Sequence, residues 1–307
     1  NRGDYDKALS MFENTLEMSI TNKDDKNISA SLSWIGKVYF QKGKYEKSLE
    51  YNSEALKIRK KINNKKGMAD SFNSIGAIHD LARNYSKALE FYQKALTIRE
   101  NINDKGGIAM SMINIANLHN SIGNINSDPQ SYATALSIQK KCHIMCREIE
   151  NSGLLAYSFN LLGTISSNQL KYDKALRYLK KSLLLRQKLN DPHGISSAFR
   201  SIGLIYYRKG YYKHAMNYFN KSLNLRETIG YKVGIGESLL DIGNSFKKIG
   251  QYDAAADSFK KSLEIMEYLN DSSQVTNILN LLGNIYRKTG EYDLALDYLM
   301  RSKTIKE

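Results

Sequence analysis

Apolar positions recur at three- and four-residue spacing through almost the whole chain. Between Ala30 and Gln41, Leu32, Ile35, Val38 and Tyr39 fall on that spacing, and from Tyr45 to Ile62 so do Leu49, Ala55, Leu56 and Ile58. Both stretches predict amphipathic helices. Only Lys42-Gly43-Lys44 separates them, so the two helices must return antiparallel, side by side. Polar runs such as Asn63-Asn64-Lys65-Lys66-Gly67, Asn103-Asp104-Lys105-Gly106-Gly107 and Asn190-Asp191-Pro192-His193-Gly194 predict turns between such hairpins. The pattern gives a lone second helix over 5–20 and a turn over 21–27. First helices follow near 29–42, 68–82, 108–122, 154–169, 194–209, 234–249 and 274–289, each succeeded by a second helix that starts at a tyrosine.

Those tyrosines keep one register. Tyr5, Tyr45 and Tyr85 are 40 residues apart, and after one step of 47 the series resumes at Tyr132, Tyr172, Tyr212, Tyr252 and Tyr292. Three residues after each stands a small side chain (Ala8, Ser48, Ala88, Ala135, Ala175, Ala215, Ala255, Ala295), and ten after each Thr15, Ala55, Ala95, Cys142, Ser182, Ser222, Ser262 or Ser302. Nine before most of them is a glycine (Gly36, Gly76, Gly163, Gly203, Gly243, Gly283), and in the odd repeat Ala116, 40 residues after Gly76, holds that place. Small residues at these places let the paired backbones press together. Because one hairpin cannot bury both of its apolar faces, neighbours must stack, and the period predicts an all-α solenoid of helix pairs. The seven extra residues of the 47-residue step lie between Gly123 and Ser131, which predicts an exposed loop over 124–130. Asp128 before Pro129 also reads as a helix cap with a first-turn proline, which would start the second helix early.

The order of small or aromatic residue, Leu or Ile, Gly, Tyr and then Gly-x-Tyr-x-x-Ala-Leu resembles the tetratricopeptide repeat. Phe199, Ile202, Gly203, Tyr206, Gly210, Tyr212, Ala215, Phe219 and Ser222 carry it in one repeat. Leu279, Leu282, Gly283, Tyr286, Gly290, Tyr292 and Ala295 carry it in another. The resemblance covers essentially the whole chain, with a repeat of 40 residues in place of the family's usual shorter one. In that respect it is similar to the long-repeat members: kinesin light chains, cell-polarity adaptors, and bacterial peptide-responsive regulators and sensor kinases. It implies a right-handed superhelical solenoid whose first helices line a concave face.

With 307 residues, two prolines and 42% hydrophobic residues, the composition fits one helical repeat domain with ample core, of about seven full helix pairs plus the N-terminal lone helix. The chain opens on Asn1-Arg2-Gly3 part-way through a repeat and ends without a polar cap, which reads as a piece of a larger protein. No apolar run approaches the length of a membrane span, and a cytoplasmic location is expected. The formal net charge is +14. Most basic residues, among them Lys140, Lys141, Lys180, Lys181, Lys221, Lys260 and Lys261, read as the solvated outer face of second helices, with nucleic acid binding as the alternative.

Little in the sequence suggests chemistry. Cys142 and Cys146, with His143 between them, lack a second pair of ligands, and Cys142 holds a small core position. No metal or cofactor is expected. His79 and His119 stand where other repeats have tyrosine, as packing residues. Gly106-Gly107 lacks the lysine and preceding strand of a phosphate loop. No carboxylate pair or activated nucleophile appears, so the chain is read as noncatalytic.

A binding surface remains. Carried over from the family, the groove-facing positions of the first helices are Asn73; Asn117 and Asn120; Asn160 and Thr164; Arg200, Tyr207 and Arg208; Asn244, Lys247 and Lys248; Asn280, Asn284, Arg287 and Lys288. Asparagine is disfavoured inside helices, and an inward carboxamide offers both a donor and an acceptor to a peptide main chain. The cations of the second half then predict an acidic, extended protein or peptide partner. The variants are a peptide-binding interaction module, the ligand-sensing half of a signalling protein with an attached kinase or DNA-binding domain, and a basic solenoid for nucleic acid.

Overall fold

The structure, a computed structural model, describes residues 2–306, and among them the chain is all α. Its helices are α1 (Arg2–Thr21), α2 (Asp25–Gln41), α3 (Tyr45–Lys61), α4 (Lys65–Leu81), α5 (Tyr85–Asn101), α6 (Lys105–Asn126), α7 (Pro129–Glu148), α8 (Ser152–Asn168), α9 (Tyr172–Lys188), α10 (Pro192–Arg208), α11 (Tyr212–Thr228), α12 (Lys232–Lys248), α13 (Tyr252–Leu269), α14 (Ser272–Thr289) and α15 (Tyr292–Lys306). Where the sequence reads as one domain, packing groups the helices into two compact units, Arg2–Gln169 and Leu170 onward. Within each unit every helix packs on the next, as repeats that touch only their neighbours must.

The glycines of the repeat sit where two helices meet. A Cβ on Gly203 would lie 2.6 Å from the Phe219 ring, and one on Gly243 equally close to Phe259. The other small positions also close the pair: Ser222 Oγ donates to the Ser196 carbonyl at 2.9 Å, and Ser262 Oγ to that of Gly236 at 2.8 Å. Between the glycine seam and the next repeat, apolar side chains fill the space. In the second unit Phe259, Leu263, Met266, Ile278, Leu279 and Leu282 form one cluster, and in the first Ala109, Ile113, Cys142, Cys146, Leu161 and Ile165 form another. His79 stacks on Phe91 with centroids 5.5 Å apart, the arrangement that Tyr206 makes with Tyr218 and Tyr286 with Tyr298.

First helices begin earlier than the hydrophobic pattern predicts. The run Lys65-Lys66-Gly67 is the opening turn of α4, and the inter-repeat turn is confined to Ile62, Asn63 and Asn64. Asn63 takes a left-handed φ of 52° and Asn64 caps the helix through the Gly67 N–H. Asp24, Asp104, Asn151, Asp191 and Asp271 cap their helices in the same way.

Gly67, Gly107, Gly194 and Gly234 are therefore not turn residues. Each lies under an arginine eight positions earlier, so that a Cβ would meet the Cδ of Arg59, Arg99, Arg186 or Arg226 at 2.9 Å or less. Arg59, Arg99 and Arg226 each donate through Nη1 to the glycine carbonyl and to a serine on the same first helix, Ser71, Ser111 or Ser238. These buried guanidiniums tie one repeat to the next. They are a feature that the reading of basic residues as an outer face misses.

The expected loop over 124–130 is absent. Five extra residues lengthen α6 and three extend α7 at its start, with only Ser127 and Asp128 left between the helices. Ser127 is left-handed, and Asp128 accepts the Gln130 and Ser131 N–H groups ahead of Pro129, so the cap-and-proline reading is the one the structure follows. The helices continue because Gly123 stays helical against the Tyr132 ring instead of turning the chain.

Candidate functional site

In the first unit the predicted asparagines divide. The Asn73 side-chain oxygen accepts a hydrogen bond from Asn114 Nδ2 at 2.7 Å, and Asn120 accepts from Asn168 at 3.1 Å. These amide pairs link α4 to α6 and α6 to α8, which gives Asn73 and Asn120 a structural use that the face-by-face reading did not foresee. The signal was present in sequence as an asparagine 41 residues after Asn73 and another 48 after Asn120. Asn117 is exposed and Asn160 half-buried; the Asn160 carbonyl accepts from Thr164 Oγ1 at 3.2 Å.

In the second unit Arg200 is engaged by its own chain. Its Nε donates to Asp241 Oδ2 at 2.5 Å, and Glu237 lies 3.5 Å from Nη1 while also reaching Arg226 at 3.3 Å. Burial works to lower the Arg200 pKa, but Asp241 and Glu237 outweigh it and hold the guanidinium firmly charged. For Asp241, burial prevails over Arg200 and raises the carboxyl. Arg200 thus braces α10 against α12 and is not the open anion contact that the helix register suggests.

The last turns of the first helices differ. Tyr207 and Arg208, Lys247 and Lys248, and Arg287 and Lys288 occupy equivalent positions 40 residues apart, at the ends of α10, α12 and α14. Tyr207 packs edge-on against Tyr212, and burial raises its hydroxyl pKa. Lys247 is half-buried beside the Phe259 ring; burial lowers its pKa, and the adjacent Lys248 adds to the shift. Lys248, Arg287 and Lys288 are exposed, with Lys288 Nζ 4.9 Å from the Tyr252 ring centroid. Four cations elsewhere find carboxylates about one repeat away: Lys42 with Asp6, Lys61 with Asp25, Lys209 with Asp173, Arg301 with Glu267. Among the described residues Lys247, Lys248, Arg287 and Lys288 form no ion pair.

Amides lie one turn before these cations. Asn244 precedes Lys247 and Lys248, and Asn284 precedes Arg287 and Lys288. Asn284 Nδ2 donates to the Asn280 carbonyl at 2.8 Å, and Ser302 Oγ donates to the Asn280 side chain at 3.1 Å. Asn280 also lines an open cavity of about 490 Å³ with Ser272, Ser273, Thr276, Asn277 and Ile305. Asn277 and the serines were not on the predicted face.

The cysteines lie in the core. Cys142 and Cys146 are fully buried with sulfurs 3.8 Å apart, and Cys142 Sγ is 3.4 Å from the Ala109 carbonyl. No group of three or more His, Cys, Asp or Glu side chains is placed to hold a metal among the described residues, and none of their helices is long and apolar enough to cross a membrane.

A tetratricopeptide repeat family model matches residues 27–101, 155–228 and 234–307, leaving out the lengthened hairpin of α6 and α7. No curated protein matches the chain by sequence. Solved structures share the fold at low identity. A Rap protein complexed with Competence and Sporulation Factor is 13% identical over 97% of this chain and 79% of its own, with a TM-score of 0.72. The apo form of the quorum sensor NprR from B. thuringiensis is 13% identical over 98% and 84%, with a TM-score of 0.70. Aspartyl phosphate phosphatase F from Bacillus subtilis is 12% identical over 94% and 74%, with a TM-score of 0.65. Helix pairs closed by small residues, a tyrosine register and a family match over most of the sequence agree: the chain belongs to the tetratricopeptide repeat family.

Proposed function

We propose that the protein is a noncatalytic interaction module that binds an extended, acidic peptide segment on the first helices of its second unit. The observation that carries this reading is the recurrence, one repeat apart, of two adjacent cations without carboxylate partners at the ends of both α12 and α14, each pair one helical turn after an asparagine. Burial first and the neighbouring Lys248 second lower the Lys247 pKa, and an anionic partner offsets the cost of holding that charge. Asn244, Asn280 and Asn284 supply donors and acceptors for a main chain beside those charges, with Tyr207 and Arg208 extending the surface on α10. In the first unit Asn117 and Asn160 are the corresponding candidates. A Rap protein of the same fold was solved complexed with Competence and Sporulation Factor, which is in keeping with partner binding by such a repeat surface.

The test is a peptide array of acidic, neutral and basic 12-residue sequences, followed by fluorescence anisotropy of the best binder. Lys248→Glu with Lys288→Glu should abolish binding, and Asn244→Ala with Asn284→Ala should weaken it, both with helicity retained. Binding that survives both double variants would remove this surface from the mechanism.

A further inference from the structure

Four arginines stand at joints between repeats, and three of them meet a carboxylate. Arg99 Nη2 donates to Asp70 at 2.7 Å, Arg186 pairs with Asp191, and Glu237 lies 3.3 Å from Arg226. Arg59 is only 8% exposed, yet among the described residues it forms no ion pair. A substitution and a diverted contact cause this. Asp191 serves Arg186 from the helix-cap position five residues on, but the cap five residues after Arg59 is the neutral Asn64. Glu237 serves Arg226 from eleven residues on, and Asp70 is eleven residues after Arg59, but Asp70 bonds to Arg99 on its own hairpin instead. From beyond ion-pair reach, Asp70 offsets only part of the lowering that burial imposes on the Arg59 pKa.

The open donor can be named. Arg59 Nη1 is taken up by the Gly67 carbonyl and Ser71 Oγ, and Nε is buried without an acceptor, as it also is in Arg99 and Arg226. Nη2 makes no hydrogen bond either but, unlike Nε, is open to solvent. Beside it Asp70 is exposed on α4, one turn before Asn73. Two guanidiniums, Arg59 and Arg99, share the single carboxylate of Asp70, which leaves one positive charge over. A buried charge without a partner is costly, and a monoanion balances this one, whereas a phosphate group overshoots it. The joints at Arg186 and Arg226 show which group suits the place, because a carboxylate stands beside the guanidinium in each. We propose that Arg59, with Asp70 and Arg99 beside it, is a binding site for a carboxylate brought by a ligand. The site lies in the first unit and does not rest on the peptide reading for α12 and α14.

The experiment compares thermal melts in sodium acetate, sodium phosphate and sodium chloride at equal ionic strength, and follows the Arg59 Nε–H resonance by NMR. Acetate should raise the midpoint above that in chloride and shift the resonance, both with the same saturation. Asn64→Asp keeps a capping side chain and places a carboxylate where Asp191 serves Arg186, so it should weaken acetate binding about tenfold or more. Asp70→Asn removes the competing carboxylate and should tighten it. Two tripeptides then identify the source: acetyl-Ala-Glu-Ala-amide carries the carboxylate on a side chain, and acetyl-Ala-Ala-Ala carries it on a free chain end. Stronger stabilisation by either assigns the site to that kind of group, and stabilisation no stronger than that of acetate assigns it to a free carboxylate; each supports the site. An equal effect of acetate on wild type and Asn64→Asp would be a general salt effect and would overturn the proposal. So would a midpoint that acetate leaves where chloride puts it, or one that phosphate raises and acetate does not.

Discussion

Arg59 and Gly67 share one space: the Arg59 Nη1 donates to the Gly67 carbonyl at 3.0 Å, and its Cδ lies 2.9 Å from where a Gly67 Cβ would stand. The same pairing, eight residues apart in sequence, joins Arg99 to Gly107 at 3.0 Å and Arg226 to Gly234 at 2.6 Å. The two residues should therefore be energetically coupled. Gly67→Ala alone should destabilise by about 1 to 3 kcal/mol through overpacking. In an Arg59→Ala background, which removes the Cδ and the guanidinium together, the added cost should fall by about 0.5 to 3 kcal/mol. Urea titrations of the four proteins in the cycle measure it, and additive costs would show that the arginine is not what excludes the side chain.

The hairpin seam gives a second case. Gly203→Leu drives a branched side chain into the Phe219 ring and should cost on the order of 1 to 3 kcal/mol, whereas Lys213→Ala on an exposed position of α11 should change the urea midpoint little.

Deleting 124–130 should leave a folded protein. Every removed residue except the half-buried Asp128 is exposed, and the deletion places Gly123 one residue before Ser131, as Gly210 precedes Tyr211. Gly210 turns its hairpin at a φ of 81°, and Gly123 can do the same. Hydrogen exchange in α6 and α7 should then resemble that of the other hairpins. Loss of protection throughout the first unit would mean that the projecting turns carry its stability.

Acid should weaken the cap at Asp191. Burial alone would raise this carboxyl, but the Gly194 N–H and the Arg186 guanidinium outweigh burial and hold it below the usual range. A depressed folded-state pKa means that the stabilisation is complete above the unfolded value of about 3.9 and is lost as pH falls through the folded one. Thermal melts between pH 6 and 3 should show an acid limb that is shallower in Asp191→Asn.

Much of this architecture was legible because local rules set it. Tyr45, Tyr85, Tyr172, Tyr212, Tyr252 and Tyr292 all open a second helix, as their register predicts. Tyr132 does not, because Asp128 and Pro129 start that helix first. Gly67 and Gly107 misled because glycine usually ends helices, and here its cause is an arginine on the preceding helix. The site was legible only as a list of helix faces. Register placed Asn73, Arg200 and Lys248 on comparable faces, but it could not show that Asn114 would take up the first and Asp241 the second. Those partners lie a whole repeat away, and the third has none among the described carboxylates.

Not every joint between repeats is of the Arg-Gly kind. The residue 14 after the repeat tyrosine is arginine at 59, 99, 186 and 226, but Cys146 and Met266 hold that place elsewhere, and the residues eight further on are Leu154 and Gln274 instead of glycine. An arginine joint admits only a glycine at the entrance of the next repeat, while an apolar joint accepts a side chain there. Hairpins are thus interchangeable parts only within a joint type. A duplication that copies α4 and α5 reproduces a matching arginine and glycine at both of its ends, whereas one that sets the entrance of α8 behind Arg99 brings Leu154 against a guanidinium. The history of duplication open to this chain is written in the pairing of those two positions.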